Sequence, residues 1–136
     1  MKTFLDTGVL ITAWRATRKE SAAALAVITD ESRKLLTCDI VKLELLPKPV
    51  FFRQKDEIEF YTEIFQRSES LAVTEKLYQS AWELATAHGL AAGDALNLAA
   101  AIELGADEFV TTETTGNALF RVKQIRVISL HAAGSK

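Results

Sequence analysis

The chain has little of several things that usually advertise a mechanism. Its 136 residues include one cysteine, Cys38. A single thiol forms no internal disulfide and no thiolate zinc cage, which points to a reducing compartment and a cytoplasmic protein. Cys38 also lacks a neighbouring base, which argues against thiol catalysis. There are two histidines, His88 and His131. They stand far apart near the ends of predicted elements, without metal-ligand spacing, and read as surface or helix-capping residues. No long hydrophobic run occurs at the start. Met1-Lys2-Thr3-Phe4-Leu5 meets an acid at Asp6, far short of a signal-peptide core or a membrane span, so no membrane partner is expected. Neither charge dominates: 16 basic against 18 acidic residues leave a formal net charge of −2. The average field therefore does not attract nucleic acid, and any such ligand needs a local basic patch together with a metal ion. Gly-x-Ser-x-Gly, a phosphate loop and Gly-x-Gly-x-x-Gly are all missing.

What is present fits one domain spanning residues 1–136. Hydrophobic residues make up 49% of the chain, enough for a real core. No repeat, low-complexity tract or linker interrupts it. Phe4-Leu5 continues a short strand that stops at Asp6-Thr7-Gly8, and Val9 to Ala13 reads as the first turns of a helix with Thr7 as its N-cap. Ala16 to Ser32 is Ala-rich and amphipathic, with charges at Arg18, Lys19 and Glu20. Lys34 to Thr37 is a second strand, and Asp39 suits the cap of the next helix. Pro47 should end that helix near Leu46 and leave 48–52 as a kink or loop. Helices are expected over 56–67, over 75–88 with a stop at Gly89, and over the apolar stretch 93–104 ended by Gly105. Residues 108–112 and 125–130 are strand-like, and the last six residues read as a frayed tail. Trp14, Trp82, Phe51, Phe52, Phe60 and Phe65 read chiefly as packing aromatics, with an interface as the other use. Strands separated by helices imply an α/β fold with a mainly parallel sheet, which binds ligands outside the carboxyl ends of its strands.

Four acids fall where that edge should be. Asp6 closes the first strand, and Glu113 follows Glu108-Phe109-Val110-Thr111-Thr112. Glu44 is the one acid in the apolar segment Ile40 to Leu46, so it is either solvent-facing or functional. Asp94 opens the apolar helix. Each has a plain alternative as a cap, a first-turn acid or a loop acid. Together they make a set of oxygen donors that repel one another, ionise reluctantly and suit a hard ion such as Mg²⁺ or Mn²⁺. Metal-assisted phosphodiester chemistry is the expectation. Acids such as Asp56, Glu57, Glu59, Glu63, Glu69, Glu75, Glu83 and Glu103 alternate with basic residues and read as solvated surface. Lys42, Lys48, Arg53 and Lys55 cluster around Glu44 and read either as a solvated loop or as contacts to a nucleic-acid backbone.

These residues resemble the PIN domain family of small metal-dependent nucleases, which includes the VapC-type toxins of toxin–antitoxin pairs. Phe4-Leu5-Asp6-Thr7-Gly8-Val9-Leu10-Ile11 is similar to the family's opening motif, and Val41-Lys42-Leu43-Glu44-Leu45 to its second. Gly89-Leu90-Ala91-Ala92-Gly93-Asp94-Ala95-Leu96-Asn97-Leu98-Ala99-Ala100-Ala101 resembles the family's Asp-Ala-Leu helix and is the most specific match. Phe109-Val110-Thr111-Thr112-Glu113 resembles the last strand motif. The resemblance covers essentially the whole chain. It implies a three-layer α/β/α fold around a mainly parallel sheet and endonucleolytic cleavage of RNA with Mg²⁺ or Mn²⁺. Asp6, Glu44, Asp94 and Glu113 would be its catalytic and metal-holding acids, with Thr7 and Thr112 orienting them and Lys42, Lys48 and Arg53 holding RNA. It also implies a homodimer and an antitoxin partner. Two positions depart from the family pattern: Gly8 stands where Ser or Asn is usual, and Glu113 where Asp is usual. They favour an alternative, a catalytically weak or inactive PIN-like module that binds RNA or protein.

Overall fold

The computed structural model describes residues 1–17 and 19–131. Arg18 and the end of the expected frayed tail, from Ala132 on, lie outside the described residues.

Five parallel strands form one sheet: β1 (Lys2–Leu5), β2 (Lys34–Cys38), β3 (Glu69–Leu71), β4 (Glu108–Thr111) and β5 (Arg126–Ser129), in the order β3-β2-β1-β4-β5. Helices fill the crossovers: α1 (Thr7–Arg15) and α2 (Glu20–Thr29), then α3 (Asp39–Leu45), α4 (Pro47–Phe51) and α5 (Lys55–Gln66), then α6 (Glu75–His88) and α7 (Ala92–Glu103). A 3₁₀ turn at Ala118–Arg121 precedes β5. The result is the three-layer α/β/α arrangement with an all-parallel sheet.

The central strands are apolar on both faces because helices cover both. Phe4 pairs with Phe109 across β1 and β4, and their rings stack with centroids 5.5 Å apart. Leu5, Leu36 and Val110 are buried with them. From α7 the same core takes Leu98 together with the small Ala95, Ala99, Ala100 and Ala101. One buried polar group is tied to it: Cys38 Sγ donates to Asn97 Oδ1 at 3.2 Å, joining the end of β2 to α7.

Several expectations are corrected. The cap of α1 is Asp6, not Thr7: Asp6 is extended at φ −65°, ψ 152° and its side chain accepts from Thr7 N. Asp39 is the first residue of α3, and Cys38 precedes it without a side-chain cap. Residues 47–51 are helical rather than a loop, since Pro47 opens α4 at a first-turn position where a missing N–H leaves no bond unmade. Leu46 before it keeps helical dihedrals (φ −85°, ψ −36°). Strand β3 has no sequence signal because it is a three-residue edge strand carrying Glu69 and Ser70. Phe60 and Phe65 pack partly against the core, as Trp14 does, whereas Phe51, Phe52 and Trp82 are exposed. Glu108, which no sequence signal sets apart, is buried. It accepts from Thr3 Oγ1 at 2.7 Å and pairs with Arg33. Among the described residues no helix is long and apolar enough to cross a membrane.

Candidate functional site

The strand order fixes where a site can form. The chain steps outward from β1 to β2 to β3, then returns to place β4 on the other side of β1. In open parallel sheets such a reversal is where ligands bind, outside the carboxyl ends of the strands, here β1 and β4. Asp6 follows β1 directly, and Glu113 lies two residues past β4. Helix α3 starts at once from the end of β2, and α7 begins on the same edge, so Glu44 and Asp94 arrive beside them.

Asp6 is held on both carboxylate oxygens. Oδ1 accepts from Thr7 N at 2.9 Å, and Oδ2 accepts from Thr111 Oγ1 at 2.8 Å. The residue is only 8% exposed. Burial pushes its carboxyl up from 3.8 to about 6; the donors Thr111 and Thr7 oppose the shift, and the charges of Asp94 and Glu44 add to it. Capping a helix and serving a site are therefore not alternatives here. One oxygen caps α1 while the other faces the seam between β1 and β4.

Glu44 is exposed, with Oε1 accepting from Thr7 Oγ1 at 2.7 Å. Thr7 thus touches two of the acids, one through its backbone and one through its hydroxyl. A Cβ at Gly93 would stand 3.4 Å from Glu44 Oε2, so the Glu44 carboxylate lies over the first turn of α7. Asp94, in that turn, is half-buried. Its carboxyl is raised first by burial, then by the charges of Glu113 and Glu44. Glu113 is exposed, and its Oε2 accepts from Asn117 Nδ2 at 3.3 Å. Its backbone N–H donates to Thr111 Oγ1 at 3.1 Å. The Thr111 hydroxyl consequently links Glu113 to Asp6.

Thr111, not Thr112, is the threonine on Asp6. Thr112 instead covers Gly8, where a Cβ would come within 2.6 Å of its Oγ1. The signal for Thr111 lay in the parallel register: Leu5 pairs with Val110, so the next step sets Asp6 beside Thr111. Of the basic residues, Lys42 is already engaged, 4.0 Å from Asp39 Oδ1 and over the Phe65 ring at 5.9 Å. Lys48, Arg53 and Lys55 are exposed and make no ion pair among the described residues.

Four carboxylates thus share one field, and the two less exposed ones resist ionisation. Oxygen-only donors under mutual repulsion are the set that a hard divalent cation relieves. Among the described residues no three His, Cys, Asp or Glu side chains are closed together tightly enough to grip an ion directly. A hydrated ion asks less of such a set, since Mg²⁺ keeps several waters and takes few carboxylates.

The sequence profile of the PIN domain matches residues 3–118. No curated protein matches the chain in sequence. Among solved structures, VapBC2 from Rickettsia felis bound to a DNA fragment from its promoter aligns with TM-score 0.72 at 17% identity, over 95% of this chain and 98% of that one. A toxin–antitoxin complex from Klebsiella pneumoniae aligns at 0.70 and 16%, over 95% and 98%. VapBC-1 from nontypeable Haemophilus influenzae aligns at 0.69 and 18%, over 97% and 100%. At these identities the likeness is one of fold.

Proposed function

The chain belongs to the PIN domain family, and on that footing we propose that it is a Mg²⁺- or Mn²⁺-dependent endoribonuclease serving as the toxin of a toxin–antitoxin pair. The observation that carries this reading is the shared field of Asp6, Glu44, Asp94 and Glu113 at the β1–β4 switch point. These four carboxylates would hold the ion, partly through water. Such an ion would supply Lewis acidity toward the phosphodiester and help to activate water. The protein's own groups do the rest. Thr111 and Thr7 hold Asp6 and Glu44 in place. Lys48 and Arg53, without an ion pair among the described residues, offer positive charge for phosphates. Lys42 is a weaker contributor because Asp39 and Phe65 already engage it. A protein antitoxin is supported by the fold likeness to chains solved in toxin–antitoxin complexes, and a homodimer is part of the same family reading.

Asp94→Asn tests the reading. Cleavage of a structured RNA should fall by about 100-fold or more, Mn²⁺ binding should weaken and the fold should survive. Equal cleavage by parent and variant would remove Asp94 from the mechanism. A second reading, a PIN fold that binds RNA or protein without cutting it, draws on Glu113, whose carboxylate is exposed and engaged by Asn117. Chelator separates the two: a nuclease stops cutting, whereas a binding module retains RNA it never cut.

A further inference from the structure

Between Glu44 and Asp56 the chain carries no acid, yet it holds Lys48, Arg53 and Lys55 in a protein of net charge −2. In the same stretch two aromatic rings stand in solvent. Phe51 is 77% exposed and Phe52 60%, and they meet edge to face with centroids 5.0 Å apart. Every residue from Val50 to Asp56 is exposed. Within this chain the two rings pack against nothing but each other, beside cations with no acidic partner among the described residues.

Their place relative to the acids is set by the backbone. Leu46 N donates to Lys42 O at 2.9 Å, and Val50 N donates to Leu46 O at 3.0 Å, so α3 runs into α4 with only the proline step between. In a winding of about 3.6 residues per turn, Glu44, Lys48 and Phe51 recur on one side, and Phe51 lies about 10 Å along the axis from Glu44. Beyond the rings, Arg53 turns back sharply: its φ is +54°, and Gln54 N donates to Pro49 O at 2.9 Å.

We propose that Phe51 and Phe52, flanked by Lys48 and Arg53, form a base-stacking platform that holds single-stranded RNA as it leaves the acidic site. The assignment rests on the ribonuclease reading above. Unpaired bases stack on exposed aromatic faces while adjacent cations follow the phosphates, a combination tolerant of sequence. The cations decide the occupant. Along the chain Lys48 falls between Glu44 and the rings and Arg53 just beyond them, with no acid between Glu44 and Asp56, so this stretch is locally positive in a protein of net charge −2 and complements a phosphate backbone.

The test is anisotropy of a fluorescein-labelled single-stranded RNA oligonucleotide with the full chain in Ca²⁺, run beside cleavage in Mn²⁺. Phe51→Ala or Phe52→Ala should weaken binding about 10-fold, and the pair together about 100-fold. Phe51→Trp should restore affinity and show quenched indole fluorescence on RNA addition. Lys48→Ala or Arg53→Ala should flatten the salt dependence by about 0.7 in log–log slope for each phosphate no longer neutralised. Mn²⁺ affinity and melting temperature should be unchanged in the ring variants. If the double alanine variant binds RNA like the parent, the platform is refuted while the nuclease reading stands. The same holds if that variant changes the molar mass by light scattering but not RNA affinity, which would make the rings a protein contact. A parent that neither binds RNA in Ca²⁺ nor cuts it in Mn²⁺ would overturn both.

Discussion

Thr111 Oγ1 donates to Asp6 Oδ2 at 2.8 Å across the junction of β1 and β4, and accepts from Glu113 N at 3.1 Å. One hydroxyl therefore sets the aim of one acid and the backbone position of another. Thr111→Val keeps the branched shape and removes both bonds. Its first effect should be electrostatic: without the donor, the Asp6 carboxyl rises beyond about 6 and binds its proton more tightly. A metal needs that proton gone. Mn²⁺ affinity at pH 7 should drop about 10- to 100-fold, the size expected when a ligand loses its supporting hydrogen bond. The midpoint of the affinity–pH curve should move upward, as isothermal titration between pH 5 and 8 would show. An unmoved midpoint would count against the hydroxyl's role.

Asp6 also makes apo stability depend on pH, and the sign is opposite to that of a salt-bridged acid. Its folded value of about 6 lies above the ordinary 3.8. Between those values the folded state holds a proton that the unfolded chain releases. Stability from this group is therefore fully present below pH 3.8 and is lost as pH rises through 6. Two units correspond to roughly 3 kcal/mol of strain at neutral pH. Asp6→Asn can still cap α1 and should stabilise the metal-free protein by up to about 3 kcal/mol at pH 7, with little gain at pH 4. Urea denaturation in chelator at both pH values checks this.

The sequence was most legible where one residue type has one job. The apolar run over Gly93–Leu104, the stop at Gly89 and the acid after each main strand all translate into the observed α6, α7, β1 and β4. Legibility failed where local and tertiary demands compete. Pro47 signals a break, but a proline also suits the first turn of a helix, and α4 begins there. Strand β3 shows only Glu69-Ser70-Leu71, since an edge strand paired on one side needs little apolar pattern. Thr111 and Thr112 are alike in sequence; which one meets Asp6 depends on a strand pairing 105 residues apart. Glu108 resembles the solvated acids in sequence because its partners, Thr3 and Arg33, are distant along the chain.

Gly8 and Thr112 contend for one space. A Cβ at Gly8 would come within 2.6 Å of Thr112 Oγ1. Alanine at a helical glycine ordinarily gains about 1 kcal/mol. Gly8→Ala should lose most of that gain in the parent, because Thr112 must rotate or shift. In a Thr112→Ala background the gain should return. A double-mutant cycle by denaturation should give a coupling of about 1 kcal/mol, and additivity would show that the two positions do not contend.

At the opposite edge of the sheet, Glu108 is 2% exposed and pairs with Arg33, while Thr3 Oγ1 donates to the same carboxylate oxygen. Asp30 holds the other side of Arg33 at 3.0 Å. A pair with one enclosed member, Glu108, and one partly exposed, Arg33, owes its importance less to attraction than to what happens when Arg33 goes. Arg33→Ala leaves a carboxylate enclosed by β1 and β4 with only a hydroxyl to solvate it, and should cost about 3–5 kcal/mol. Replacing both, with Arg33→Met and Glu108→Leu, removes the stranded charge and should recover most of the loss. Because this network stands at the amino ends of the strands and the acids Asp6 and Glu113 at the carboxyl ends, Mn²⁺ affinity of the double variant should match the parent. A double variant as unstable as Arg33→Ala would mean that the pair itself, rather than relief from an unpaired charge, holds these strand ends together.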